Sequence, residues 1–277
     1  MRSMACPTSP KGIAAIVGVG PKLGRSIARK FAHEGYTVAI LARDLGQYIC
    51  RLSRFADEIA REEKAQVFAI RIDCSESRSI KEAFEGVLSL GFVEVLVYNA
   101  HHPPSWSPTS FADIRLDHFD KSLAVAAVGA FHCAQQVLPG MVERGRGTIL
   151  FTGCSASLNG IPGFSDICCG KFAMRALSQC LASEFQPLGV HVAHVIIDGI
   201  IGAPRFITFL YLLPSNSLLD RVGEYYSIHF TAKMFFFFFR WGRTARQKRG
   251  RVDGPGRGGS DLLASARPGP VGLDSGD

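Results

Sequence analysis

Long apolar stretches are missing from this sequence. Apolar runs such as Phe206–Leu213 and Phe235–Phe239 fall short of the roughly 20 apolar residues that cross a bilayer, so no membrane span is expected. The first 11 residues carry no apolar run behind a basic end, which argues against a secretory signal. None of the eight cysteines forms a CxxC pair, and most lie in apolar segments. That pattern speaks against a disulfide framework or a zinc site, so no metal is expected, and it fits reduced thiols in the cytoplasm. Acidic residues are in deficit, giving a net charge of +7. The excess is local: Arg240, Arg243, Arg246, Lys248, Arg249, Arg251 and Arg257 stand against Asp253 alone between 240 and 257. The charge therefore says little about the rest of the chain.

What is abundant is alternation between β-branched runs and helical periodicity, from Lys11 to about Arg205. Strands are expected at Ile13–Val17, Thr37–Leu41, Gln66–Ile72, Val93–Tyr98, Thr148–Thr152 and Val190–Ile197. Helices are expected at Gly24–His33, Leu52–Glu63, Ser75–Leu90, Asp117–Val137 and Lys171–Phe185. Strands without clean polar alternation are covered on both faces, and intervening helices supply right-handed crossovers. The expected fold is α/β, a single domain built on a doubly wound parallel sheet, with an irregular C-terminal tail.

The first strand runs into Gly18-Val19-Gly20-Pro21-Lys22-Leu23-Gly24 and then a helix. Glycines at such a turn let backbone amides approach a pyrophosphate, and the helix N-terminus adds partial positive charge. The second strand closes on Leu41-Ala42-Arg43-Asp44. An acid ending that strand would bond the ribose hydroxyls of NAD, whereas a guanidinium pairs with the 2′-phosphate of NADP. Arg43 favours NADP; a one-residue shift toward Asp44 would favour NAD.

Together with Asp73, with Asn99-Ala100 after the fourth strand, and with a lysine on the helix after Gly153, this turn resembles the short-chain dehydrogenase/reductase family over 11–205. The resemblance implies a Rossmann fold and an oxidoreductase that moves a hydride between NAD(P) and a small carbonyl or alcohol. It also implies a cofactor contacted by Gly18, Gly20, Lys22, Leu23, Gly24, Arg43, Asp73, Asn99, Ala100, Lys171 and Gly199. Family members commonly pair through two long helices, so a homo-oligomer is implied. Two departures touch the cofactor: Lys22 stands at the middle glycine of the family turn, and His101 replaces the glycine after Asn-Ala.

Catalysis in the family uses a Tyr-x-x-x-Lys pair, a serine and an asparagine. Lys171 matches the lysine, but Ile167 occupies the tyrosine position and has no proton to give. The serine position falls on Cys154, with Ser155 beside it, and the asparagine falls near Ala126. Cys168, three residues before Lys171, is a candidate thiol if the ammonium lowers its pKa; a small buried hydrophobe is the competing reading. Tyr98 and His194 read as structural, and His101 and His102 lie near the expected cleft. The leading expectation is NADPH-linked carbonyl reduction with a non-standard site. The alternative is a cofactor-binding scaffold without turnover.

Past Arg205 the pattern lapses. An apolar segment, 206–241, shows no convincing periodicity and no closing strand, and 242–277 is a Gly/Arg/Pro-rich stretch expected to be disordered. This tail reads as translated non-coding sequence in an altered C-terminus. The rival reading, a basic patch for nucleic acid or an anionic membrane, rests on charge alone, and no specific nucleic acid is expected.

Overall fold

The computed structural model describes residues 11–43, 49–103, 108–197 and 234–235. Six parallel strands form the sheet: β1 (Ile13–Val17), β2 (Thr37–Ala42), β3 (Val67–Arg71), β4 (Val93–Tyr98), β5 (Gly147–Cys154) and β6 (Val190–Ile197). Their spatial order is β3-β2-β1-β4-β5-β6. A two-residue strand, β7 (Met234–Phe235), pairs antiparallel with Ile196 and Ile197. No closing strand was expected from the sequence; those two residues are the correction.

Helices cover both faces. α1 (Leu23–His33) and α2 (Ile49–Glu63) pack on one side, where Ala28, Ala32, Phe55 and Ile59 meet Ala14 and Ile16 of β1. On the other side lie α3 (Ser77–Ser89), α5 (Gly129–Glu143) and α6 (Ser165–Phe185), whose Phe84, Cys133 and Met174 meet Ile13, Ala15 and Val17. Period-two alternation thus sends neighbouring β1 residues into opposite cores, and all five are buried. The doubly wound architecture is as expected.

Two helices differ from expectation. The long helix runs from α4 (Leu116–Leu123) through a π turn (Ala124–Val128) into α5, ending six residues later than the periodicity suggests. By length and composition this helix could cross a membrane, but half of its most apolar window is buried, with Ala130, Cys133, Val137 and Met141 in the core. α6 begins at Ser165, six residues before the expected start at Lys171. Gly170 obscures that start in the sequence. In the fold it is needed, because a Cβ there would lie 2.9 Å from the Ala126 Cβ on the facing helix.

Sheet order reverses between β1 and β4, and their carboxyl ends open a crevice there, where open α/β sheets bind ligands.

Candidate cofactor cleft and active site

The loop leaving β1 is fixed by its backbone. The Gly18 and Val19 amides both donate to the Leu41 carbonyl, at 2.8 and 3.1 Å. Asn99, just past β4, donates its amide to the Val17 carbonyl and its side-chain NH2 to the Gly18 carbonyl, each at 2.8 Å. Gly18 has φ +84°, and a Cβ there would lie 2.4 Å from the Ala100 nitrogen. Only glycine meets both demands. Gly24, buried at the start of α1, is needed for a different contact: its Cβ would lie 2.7 Å from the Val19 Cα. Lys22 has a negative φ of −114° and an exposed side chain, so the position where the family turn has its middle glycine does not need the left-handed freedom of glycine.

Beside this loop lies a cleft of about 430 Å³. Gly18, Gly20, Arg43, Asn99, Ala100 and His101 all contribute to its wall. A Cβ on Gly20 would meet nothing within 4 Å, so the loop leaves open space on the cleft side. At the first turn of α1 the Arg25 amide donates to the Gly20 carbonyl at 3.1 Å, the Leu23 and Gly24 amides precede the first intrahelical bond, and the turn carries no acid. Such a cradle suits an anionic, phosphate-bearing group. Among the described residues lining the cleft none is acidic.

Lys22, Leu23 and Gly24 sit at the helix start, outside the cleft wall. Asp73 is also set back, although its neighbours Ile72 and Cys74 line the cleft. Its Oδ1 accepts from the Ser75 amide at 2.9 Å and from the Ser75 hydroxyl at 2.6 Å. Burial raises its pKa, and these bonds outweigh burial and leave it lowered. Asp44 and Gly199 lie outside the described residues, as does the tail apart from Met234 and Phe235.

Lys171 on α6, which is not among the residues lining this cleft, is buried and donates to the Thr152 carbonyl at 2.8 Å. Burial lowers its pKa, partly offset by Cys154. Around the ammonium are Cys154 at the end of β5, His101 after β4 and His194 on β6. Ser155 opens a 3-10 turn, and its carbonyl accepts the Leu158 and Asn159 amides. Cys168 departs from the reactive-thiol reading: burial raises its pKa, and its sulfur accepts the Ile161 amide at 3.3 Å. The thiol is packed and not activated by the lysine.

Tyr98 is fully buried and donates to the Val125 carbonyl, so it is structural as expected. His194 packs its ring against Gly153, where a Cβ would lie 2.2 Å from Cε1. Both its ring nitrogens are buried without a hydrogen-bond partner among the described residues, and burial, followed by Lys171, lowers its pKa to about 4.

One cluster escaped the sequence reading. His118 Nδ1 lies 3.0 Å from Asp166 Oδ2, the Ser122 hydroxyl donates to the Asp166 carbonyl at 3.0 Å, and the His102 and His118 rings meet edge to face at 4.6 Å. Asp166 directly precedes Ile167 but turns toward α4. Residues so far apart in sequence leave no local pattern; only the packing of α4 on α6 brings them together.

Known proteins agree with this geometry. The short chain dehydrogenase profile matches residues 12–204. A short-chain dehydrogenase/reductase of Armillaria gallica is 29% identical over 199 residues, covering 71% of this chain and 74% of that protein. A 3-dehydrosphinganine reductase of Danio rerio is 28% identical over 182 residues, covering 64% of this chain and only 53% of that relative. Among solved structures, a metagenomic short-chain oxidoreductase in complex with NADP superposes with TM-score 0.64 at 23% identity, covering 76% of this chain and 95% of that one. With the matched region extending from the strand before the glycine loop to just beyond the sixth strand, this chain belongs to the short-chain dehydrogenase/reductase family.

Proposed function

We propose that this chain is an NADP-linked oxidoreductase that reduces small carbonyl compounds, or oxidises the matching alcohols, with Lys171 retained and the family's hydroxyl donor replaced. The observation carrying this reading is Arg43 in the wall of the cleft at the sheet's switch point, where a carboxylate would repel a 2′-phosphate and where no described lining residue is acidic. NADP bound in the metagenomic relative supports the choice, with NAD as the alternative.

When bound, the dinucleotide supplies or accepts the hydride. The chain's own contribution is positional and electrostatic. The Gly18–Gly20 loop and the α1 N-terminus hold the diphosphate. Lys171, its orientation set by the Thr152 carbonyl, places a positive charge at the nicotinamide end. It stabilises negative charge developing on a substrate oxygen, more strongly there than in water, and with Ile167 at the donor position that oxygen takes its proton from solvent.

A second reading, a cofactor-binding scaffold without turnover, is favoured by Ile167, Cys154 and Ala126 at the positions of the tyrosine, serine and asparagine. Two measurements separate the readings: NADPH fluorescence on binding, then NADPH consumption with aldehydes, ketones and quinones. Consumption of any substrate establishes the enzyme, while binding without consumption across the panel establishes the scaffold. Ile167→Tyr sharpens the test. Restoring a positioned proton donor should raise turnover by about 10²–10⁴-fold, and no gain would show that the pocket around it has also decayed.

Three further expectations belong to the proposal. The nucleotide-binding unit is built on residues 11–205, to which Met234 and Phe235 add a strand at the edge of the sheet. Reduced thiols suit the cytoplasm, and the six described cysteines are free. Val128 and Phe131 on the long helix and Phe172 on α6 are exposed apolar residues, which supports pairing of two chains through these helices.

A further inference from the structure

His101 occupies a position that is glycine in the family pattern and places a titratable ring in the wall of the same cleft as Gly18 and Gly20. Its location is well fixed, because Asn99, two residues before, is tied to Val17 and Gly18 by two hydrogen bonds of 2.8 Å. The ring also bonds to the Asn99 backbone. Among the described residues, the charged and titratable groups acting on it are Lys171 from α6, Arg43 after β2 and the neighbouring His102. No carboxylate is among them, and none lines the cleft among the described residues. The imidazole therefore stands in a positive environment beside a cradle suited to phosphate.

We propose that His101 is a phosphate-contacting residue whose protonated ring pairs with the diphosphate of the dinucleotide, so that binding takes up a proton. The inference rests on the cofactor reading above. The diphosphate is chosen over the 2′-phosphate because His101 follows β4 beside the β1 loop, whereas Arg43 follows β2.

Although His101 is exposed at the cleft wall, crowding by the surrounding protein first and the Lys171 charge second hold it below the usual histidine value of 6.5. An anion beside the ring reverses this balance by favouring the charged form. The bound pKa then exceeds the free one. By linkage, the added affinity is fully present below the free pKa and is lost as pH rises through the bound value. Each pKa unit gained is worth about tenfold in affinity.

A phosphate monoester such as the 2′-phosphate itself titrates near pH 6, so NAD⁺, which lacks it, is the cleaner probe. Calorimetric titration of the full chain with NAD⁺, and with NADP⁺ in parallel, would be run between about pH 6 and pH 8 in two buffers of different protonation enthalpy. The expected result is NAD⁺ affinity about five- to tenfold higher at the acid end, with net proton uptake. In His101→Gln, which keeps a donor but cannot titrate, both the slope and the uptake should disappear. The His101 Cε1 resonance should titrate at higher pH in saturating NAD⁺ than without it.

A slope that persists in His101→Gln, or binding without proton uptake, overturns the proposal and leaves the cofactor reading standing. Failure of both dinucleotides to bind at any pH overturns the cofactor reading, and this inference with it.

Discussion

Along β1 and β4, the loop residues interlock through backbone: Gly18 against Ala100, Asn99 onto Val17 and Gly18, both loop amides onto Leu41. Around β5 and α6, by contrast, the proposed site keeps Lys171, while Ile167, Cys154 and Ala126 fall at the positions where the sequence resemblance implies proton-handling groups. Backbone contacts of the first kind serve folding as well as binding, so losing them unfolds the strand junction. A catalytic hydroxyl is held by little else and can be lost with the fold intact. The two regions therefore tolerate change for different physical reasons.

The largest effect should come from Gly18→Ala. The new Cβ meets backbone that cannot move aside, at a φ that disfavours any side chain. A loss of about 3 kcal/mol, or roughly 10 °C in Tm, is expected in thermal denaturation. Gly20→Ala is the counterpart: with nothing within 4 Å, Tm should not change while NADPH affinity falls. Equal effects at the two glycines would break the distinction between folding and binding roles.

On the catalytic side, His194 should govern acid stability. Its folded pKa, about 4, lies below the unfolded value near 6.5, so the unfolded state takes up the proton first as pH falls. Stability is complete above about 6.5 and declines as pH drops toward 4. Urea unfolding across this window should show a shallower decline for His194→Leu; an unchanged slope would assign the acid sensitivity to other groups.

The smallest effect is expected for Tyr98→Phe, which removes one buried hydrogen bond to Val125 and should cost about 1 kcal/mol. A Tm shift of about 3 °C checks it.

The strands and the glycine loop were readable from the sequence because short-range chemistry dictates them. Ile13–Val17 is a β-forming run, and a glycine follows where a positive φ is required. The start of α6 was not readable, because Gly170 looks like a helix breaker until the approach of Ala126 explains it. Nor could local spacing show that Cys168 is packed against Ile161, or that Asp166 pairs with His118. The retained lysine was visible from its place on the helix after Gly153, but its hydrogen bond to Thr152 required the fold.

The π turn at Ala124–Val128 gives the long helix one residue more than an α-helical count would allow, with the Gly129 amide reaching back five residues to Ala124. A π turn winds its extra residue into the same turn, so the two halves keep the faces that a helix one residue shorter would give them. Deleting one residue there should leave His118 beside Asp166 and Ser122 against α6, whereas a deletion in the regular winding of α5 would rotate one side of the cut by about 100°. The surplus residue thus works as local slack between the half that faces β4 and the half that faces the catalytic helix.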